Sequence, residues 1–246
     1  MRVKPMILSL FALLFVWAVA AMAIRLPILP TPWAVIGSFV LDLPHELGWH
    51  TLVSVWRIGI STLIATMLAV PLGMILGQNK RWDNIFFPFV YLTYPVPKVA
   101  LLPVIILFLG IGDMSKVFLI ALILFFQVLV VVRDASRNIP SQLILSLRSL
   151  GADRLQLLRY AYFPACVPAI LTSLRLNVAI AIAVLYLAES FATTSGLGYY
   201  IMDSWQRLNY VDLYSAILAM AVVGAGAFVA FALIEAKWCH WAQVGK

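Results

Sequence analysis

Long apolar runs constrain the fold of this chain more than any other feature. A bilayer offers no water to unpaired backbone groups, so runs that cross it must be helical. Since 64% of the residues are hydrophobic and 11% are charged, we expect an all-α polytopic membrane protein with about six spans. The expected spans cover residues 7–24, 58–76, 85–109, 117–132, 164–187 and 213–234.

The first apolar run has two interpretations. Arg2 and Lys4 precede it and Ala21-Met22-Ala23 lies near its end, an arrangement that imitates a secretory leader with its cleavage site. The length of this run, 18 residues, is nevertheless near the minimum for a helix that crosses a bilayer. We therefore expect a retained first helix.

The distribution of basic residues predicts the orientation of the spans. Lys and Arg concentrate in the cytoplasmic loops of membrane proteins. With a cytoplasmic N-terminus and six spans, eleven of the 17 basic residues lie on that side: Arg2, Lys4, Lys80, Arg81, Arg133, Arg137, Arg148, Arg154, Arg159, Lys237 and Lys246. We expect both termini, and the polar segment at residues 141–159, to be cytoplasmic.

That polar segment interrupts the apolar runs and has helical periodicity of its own. Leu143, Leu147 and Leu150 recur at i, i+4 and i+7, which predicts a short amphipathic helix with these leucines on one apolar face. Polar side chains occupy the opposite face. The segment is expected to lie at the membrane surface, in a position suited to docking on a partner protein.

Three residues predict where the helices of this segment begin and end. Ser141 is expected to cap the first helix at its N-terminus. Gly151 is expected to end that helix in the left-handed conformation, and Asp153 to cap the next one. The pattern predicts two short helices that meet in a bend at the glycine.

Residues 94–103 of the third apolar run contain three prolines. Proline removes an amide donor and kinks or breaks a helix, so we expect an interrupted span here. Lys98 lies near the middle of the run, where an ammonium group costs roughly 2.5–3.5 kcal/mol. Two interpretations stay open: Lys98 lines a substrate path, or the segment is a re-entrant kink from which Lys98 reaches the interface.

Other ionisable residues lie within or beside the spans. Arg57 and Arg175 lie close enough to a span end to reach water, so a structural role is favoured over a role in the path. Glu189 ends the fifth run, before the turn-rich residues 193–199, where we expect a solvated or paired carboxylate. The candidate residues of a translocation path are Tyr94, Pro97, Lys98, Arg175 and Glu189.

Several segments resemble enzyme motifs, but each lacks a feature that the chemistry requires. His45 and His50 are five residues apart, not the four that place two zinc ligands on one helical face. Ser195 resembles an intramembrane protease nucleophile, yet the expected topology puts it outside, whereas His240 follows a cytoplasmic helix end. We expect no catalytic residue and no metal site.

Phosphate and nucleic-acid motifs are missing as well. Residues 73–80 have the wrong spacing for a phosphate-binding loop, so any ATPase must be a separate chain. The net charge of +7 is not accompanied by basic clusters with interleaved aromatics, which excludes a nucleic-acid interface. Cys166 and Cys239 are far apart and predict neither a disulfide framework nor a zinc site.

The polar segment resembles the cytoplasmic signature of the permease subunits of bacterial ABC importers, in the branch that carries nitrate, sulfonates, taurine and related compounds. That signature is a Glu-Ala-Ala triplet followed at fixed spacing by a glycine and by an Ile-x-Leu-Pro ending. Gly151 matches the glycine, Ala161 stands for the isoleucine, and Phe163-Pro164 stands for Leu-Pro. The triplet falls on residues 145–147, where Leu145 replaces the glutamate.

Two further segments resemble the same family. The first runs from Pro95 through Pro103 to the downstream residues 110–116, and the second joins Ala188-Glu189 to residues 194–199. The resemblance extends from about residue 51 to residue 234.

The resemblance implies a type I ABC importer permease fold in a single domain over residues 1–246. Residues 1–50 would supply an N-terminal helix and an outer segment, and residues 51–236 the core helical bundle. Residues 141–159 would form coupling helices seated in a groove of a cytoplasmic ATPase. The implied coupling residues are Leu145, Ser146, Leu147, Arg148, Leu150, Gly151, Ala152, Asp153 and Arg154.

The resemblance also implies the partners. Two permease copies, expected to form a homodimer, would pair with two ATPase subunits in the bacterial inner membrane, and a periplasmic binding protein would deliver the solute. ATP and Mg²⁺ would be bound by the ATPase and no cofactor by this chain. Movement of the docked coupling helices would open the central cavity alternately to each side.

Alternatives remain for the cargo and for the class of protein. A small anion such as a sulfonate, taurine or nitrate is expected, and a vitamin precursor is the alternative within the family. An intramembrane enzyme is a second class, disfavoured by the positions of Ser195 and His240. An ion-coupled carrier is a third, disfavoured because the sequence has one broken span and no counterpart to it.

Overall fold

The computed structural model describes residues 3–239, with side chains from residue 8 onwards. The expectations that rest on Arg2, His240, Lys246 and the side chain of Lys4 lie outside these described residues. Within them the chain is helical and has no strand. The helices are α1 (Val3–Ile24), α2 (Pro32–Asp42), α3 (Glu46–Gln78), α4 (Lys80–Thr93), α5 (Leu102–Leu109), α6 (Asp113–Arg137), α7 (Ser141–Ser149), α8 (Arg154–Leu157), α9 (Phe163–Glu189), α10 (Leu197–Gln206) and α11 (Tyr210–Trp238).

Among residues 3–239, four continuous helical stretches are long and apolar enough to cross a membrane: α3, α6, the run Arg154–Glu189 and α11. A fifth span results if the bent pair Lys80–Thr93 and Lys98–Leu109 counts as one. Over its described side chains, Leu8–Ile24, the first apolar run is a shorter helix. The helical fold agrees with the prediction, whereas the expected six spans become four or five by these criteria.

The predicted interruption of the third run is confirmed as a sharp bend. Helix α4 and the segment Lys98–Leu109 meet at an angle of 81°. Pro97 precedes a 3₁₀ turn at Lys98–Leu101, and Pro103 lies at the start of α5, where its missing amide donor costs no helical hydrogen bond.

The described chain divides into two compact units. The first unit comprises the chain up to Val55 together with Glu189–Val223, and the second comprises Trp56–Ala188 together with the chain from Gly224 onwards. In the first unit, Ser38 Oγ donates to Asp212 Oδ1 at 3.0 Å and Ser215 Oγ donates to the Val35 carbonyl at 3.1 Å. These hydrogen bonds hold α2 against the start of α11.

The second unit is built around α3, α6 and α9, whose apolar side chains form two buried clusters with α4 and α5. Gly73 and Gly77 allow α3 and α6 to approach closely. A Cβ at Gly77 would lie 2.5 Å from the Arg133 carbonyl oxygen, and one at Gly73 would lie 2.9 Å from Val132 Cβ. The spacing that fails as a phosphate loop is thus a small-residue motif for helix packing.

Candidate functional site

Residues 141–162, called here the bent element, contain the predicted helix-glycine-helix arrangement. Gly151 has a φ of +85°, so the predicted left-handed glycine is confirmed. The amide of Ala152 donates to the Leu147 carbonyl at 3.0 Å, and the amide of Gly151 donates to the Arg148 carbonyl at 2.9 Å. This is the Schellman pair of hydrogen bonds that closes a helix C-terminus.

The second half of the bent element begins with a capping box. Asp153 Oδ1 accepts a hydrogen bond from the Gln156 amide at 2.7 Å, and Gln156 Oε1 accepts one from the Asp153 amide at 2.9 Å. The predicted cap at Asp153 is therefore confirmed. The predicted cap at Ser141 is wrong, because Pro140 holds the N-cap position and Ser141 is already the first helical residue.

The predicted apolar face of the bent element is only partly correct. Ile144, Leu157 and Ala161 form its buried cluster, with Leu147 packed partly against it. The other two predicted leucines are exposed. Leu150 follows the last residue of α7 and is exposed, so the burial that its spacing predicted is wrong.

The outer surface of the bent element is apolar and basic. Leu145, Leu150 and Leu155 are 61%, 84% and 70% exposed. The exposed cations on the same element are Arg148, Arg154 and Arg159. Exposed apolar groups of this size, rimmed by charges, are typical of surfaces that bind another protein.

A buried ionic network lies at the end of α6, just before the bent element. Arg133 Nε donates to Asp83 Oδ1 at 2.7 Å, and its Nη2 donates to Asp83 Oδ2. Arg137 Nη1 approaches Asp83 Oδ2 at 3.3 Å, and Arg133 Nη1 pairs with Asp134 at 2.6 Å. The Arg133 guanidinium also lies over the Phe87 ring, with Cζ 3.8 Å from the ring centroid. The network joins α4 to α6.

This network was not predicted from the sequence, where Arg133 and Arg137 indicated only the topology. One signal was available: Asp83 is an acidic residue in the first turn of α4, next to Lys80 and Arg81. A lone acidic residue between two apolar runs is expected to find a cationic partner.

Lys98 lies at the break between α4 and the next helical turn. Its Nζ donates to the carbonyls of Thr93 at 2.9 Å and Tyr94 at 3.3 Å, and it lies 4.6 Å from the Phe126 ring centroid. The ammonium therefore satisfies carbonyls that the proline break leaves without helical partners, and it complements the negative end of the α4 dipole.

Arg57 and Arg175 are each paired with a carboxylate. Arg57 Nη2 lies 2.6 Å from Asp113 Oδ1, and Arg175 Nη1 lies 3.0 Å from Glu235 Oε2. Thr172 Oγ1 donates to the other oxygen of Glu235 at 2.8 Å. These contacts give both arginines a structural role.

Glu189 belongs to a second polar group, in the first unit. Its side chain is fully buried, so of the two expected states, solvated or paired, the solvated one is wrong. Glu189 Oε2 accepts from Ser54 Oγ at 2.7 Å and from the Gly198 amide at 3.0 Å, while Ser54 Oγ accepts from the Leu197 amide at 2.8 Å. His50 Nδ1 accepts from the Gly196 amide at 3.1 Å. We call this group the buried polar cluster.

The buried polar cluster fixes the start of α10, a helix that the sequence analysis did not predict. The rings of Tyr199 and Tyr200 lie against His50, with centroids 5.5 Å and 5.3 Å away. Tyr200 also donates its hydroxyl to Asp42 at 2.6 Å. Burial, reinforced by this hydrogen bond, raises the pKa of Tyr200, so the phenol keeps the proton that it donates.

The predicted site residues therefore separate into groups. The proposed coupling residues form one continuous bent element. Tyr94, Pro97 and Lys98 lie together at the break after α4, and Arg175 lies in the same unit on α9. Glu189 belongs to the other unit. A shared translocation path for these residues stays a prediction.

Comparisons with known proteins agree on one family. Residues 69–238 match the family model described as binding-protein-dependent transport system inner membrane component. A putative aliphatic sulfonates transport permease protein of Bacillus subtilis is 32% identical, with 87% of this chain and 78% of that protein covered. The taurine transport system permease protein of Escherichia coli is 30% identical, with coverages of 84% and 78%.

A solved structure shares the fold. A chain of the MetNI methionine ABC transporter, in an inward-facing conformation, superposes with a TM-score of 0.64 at 15% identity, covering 78% of this chain and 96% of that one. At this identity the match concerns the fold alone.

Proposed function

Because this chain belongs to the family of binding-protein-dependent transport system inner membrane components, we propose that it passes a small solute, delivered by a periplasmic binding protein, across the bacterial inner membrane. It is the permease subunit of an ABC importer. The observation that carries the proposal is the bent element, in which the signature glycine Gly151 holds a left-handed bend and leucines face outward.

We propose that the bent element is the surface on which a cytoplasmic ATPase docks. Its backbone hydrogen bonds are satisfied locally at Gly151 and Asp153, so its bend does not depend on a partner. Exposed leucines, by contrast, gain stability only when a partner covers them. This combination suits a preformed projection that inserts into a groove.

The route of coupling is proposed to run through the ionic network. When the ATPase closes on ATP, the docked bent element moves with it and displaces the end of α6. Because Arg133 and Arg137 contact Asp83, that displacement reaches α4 and the bent span that follows it. Such a movement opens the path alternately to the two sides of the membrane.

We propose a small sulfonate-type anion as the cargo. The support comes from the two relatives, whose names give aliphatic sulfonates and taurine as their transported compounds. Lys98 and Arg175 add little to this argument, because the first contacts backbone carbonyls and the second pairs with Glu235.

The proposed complex contains two copies of this chain and two ATPase subunits, with both termini of each copy in the cytoplasm. ATP and Mg²⁺ would be bound and used by the ATPase, so this chain needs no catalytic residue or cofactor of its own.

The proposal is tested by purifying a tagged copy in mild detergent and identifying the proteins that copurify. We expect a stoichiometric ATPase, ATP hydrolysis in the eluate, and stimulation of that hydrolysis by the sulfonate-loaded binding protein in proteoliposomes. A stable protein without an ATPase would overturn the importer proposal. Stimulation by a vitamin precursor instead of a sulfonate would change the cargo only.

A further inference from the structure

The surface of the bent element differs in charge from the family signature that it matches. Leu145 occupies the position of the signature glutamate. The element carries three exposed arginines and a single acid, Asp153, whose carboxylate is used in the capping box. Its free charge is therefore cationic, where the family signature contributes an anion.

A cleft beside Leu145 shows where this cationic charge is concentrated. The cleft has a volume of about 300 Å³ and lies between the ends of α3 and α6 and the bent element. Arg137, Leu145 and Arg148 are among the residues that line it. The Arg137 side chain is 55% exposed, although it also contacts Asp83.

We infer that the ATPase inserts an acidic side chain, flanked by apolar ones, into the cleft between Arg137 and Arg148. This inference rests on the proposed function, since it describes the partner at the same site. Two guanidinium groups beside one opening fit a carboxylate, because arginine binds carboxylates in a bidentate geometry. Exposed Leu145 and Leu150 fit an apolar surface around that acid.

The inferred contact at residue 145 has the opposite charges to a contact made by the signature glutamate. A seat built for the signature glutamate would offer a cation opposite residue 145, whereas the seat inferred here offers an acid and apolar side chains. The substitution Leu145→Glu separates the two possibilities, because it restores the signature residue. It also places a carboxylate where the partner's carboxylate would lie, and like charges repel.

The experiment uses the copurified complex and measures how much ATPase stays bound as the complex is diluted. For Leu145→Glu we expect dissociation to rise about tenfold or more, as for loss of a buried charged contact. The matched control is Leu143→Glu, at a leucine of the same helix that is 47% exposed and does not line the cleft. The control should change retention by about twofold at most.

A second pair of variants tests the charge alone. Arg148→Glu should also raise dissociation about tenfold or more, whereas Arg159→Glu, an exposed arginine of the same element outside the cleft, should change it by about twofold at most. Unchanged unfolding temperatures would show that each variant is folded. If Leu145→Glu holds the ATPase as well as or better than the unaltered chain, the inference is wrong and the proposed function stands.

Two further outcomes have distinct meanings. If no ATPase copurifies with the unaltered chain, the proposed function fails, and the inference with it. If Arg148→Glu releases the chain from anionic vesicles but not from the ATPase, the cationic surface binds lipid head groups and the inference about the ATPase is overturned.

Discussion

The buried polar cluster and the bent element depart from the ordinary distribution of side chains in opposite directions. The first places a carboxylate, Glu189, where no water reaches it, and the second leaves Leu150 84% exposed. Buried polar groups and exposed large apolar groups are the informative exceptions in a folded protein. One region thus buries a charged side chain, whereas the other exposes apolar ones.

The difference lies in how each region satisfies its polar atoms. In the buried polar cluster, the hydroxyl and carboxylate side chains accept hydrogen bonds from the first backbone amides of α10. In the bent element the backbone is capped by its own residues at Gly151 and Asp153, so its shape does not depend on the exposed leucines. Substitutions should therefore affect stability in the first region and association in the second.

The largest loss of stability is expected from Asp83→Ala, a substitution in the ionic network. It leaves the buried Arg133 guanidinium with only the Asp134 carboxylate, so unfolding free energy should fall by about 3–4 kcal/mol. Thermal unfolding in detergent measures the loss. Asp134→Ala is the control, because that carboxylate is 51% exposed and should cost much less. Equal losses for the two variants would contradict the assigned roles.

Glu189→Ala is expected to cause the second largest loss, lowering the unfolding free energy by about 2–3 kcal/mol. It removes the acceptor of Ser54 Oγ and of the Gly198 amide, and buried donors without partners are destabilising. Glu189→Gln retains one acceptor oxygen and should lose about half as much. The same unfolding assay decides this, and an unaltered midpoint for the alanine variant would remove the argument that the cluster fixes α10.

Gly151→Val should cost about 1–2 kcal/mol, because a β-branched side chain resists a positive φ. No atom lies within 4 Å of the position of a Cβ at Gly151, so the loss comes from backbone strain and not from a clash. Gly151→Asn, which tolerates this conformation, is the control. We expect substrate-stimulated ATP hydrolysis to fall in the valine variant and to persist in the asparagine variant. Unchanged hydrolysis in both would show that the bend is not required.

The smallest change in stability is expected at Leu150, in the bent element. Leu150→Ser should change the unfolding free energy by less than about 0.5 kcal/mol, since the side chain is already exposed. The same variant should lose part of its ATPase during purification. A large drop in unfolding temperature would mean that Leu150 packs within the chain, and the contrast between the two regions would fail.

Local signals in the sequence predicted the local structure. Gly151 and Asp153 act through hydrogen bonds within a few residues, and the prolines around Lys98 act on their own helix, so their effects were foreseeable. The apolar face of the bent element was predicted less well, because the choice between Ile144 and Leu143 depends on packing against Leu157.

Contacts between distant residues were not predictable from periodicity. Asp83 and Arg133 are 50 residues apart, and Ser54 and Glu189 are 135 apart. Their types indicated that each needs a partner, yet no spacing rule identifies which one. The carbonyl contacts of Lys98 were missed for a different reason: the break was expected, but its freed acceptors were not matched to the nearest cation.

The local capping of the bent element has an evolutionary consequence. Gly151, Asp153 and Gln156 encode the bend, while Leu145, Leu150 and Leu155 make up the exposed surface. Because the two sets are separate, mutation of the surface residues does not disturb the shape that presents them. The exposed residues of such a permease can therefore change one at a time, and its partner specificity with them, while every intermediate sequence still folds.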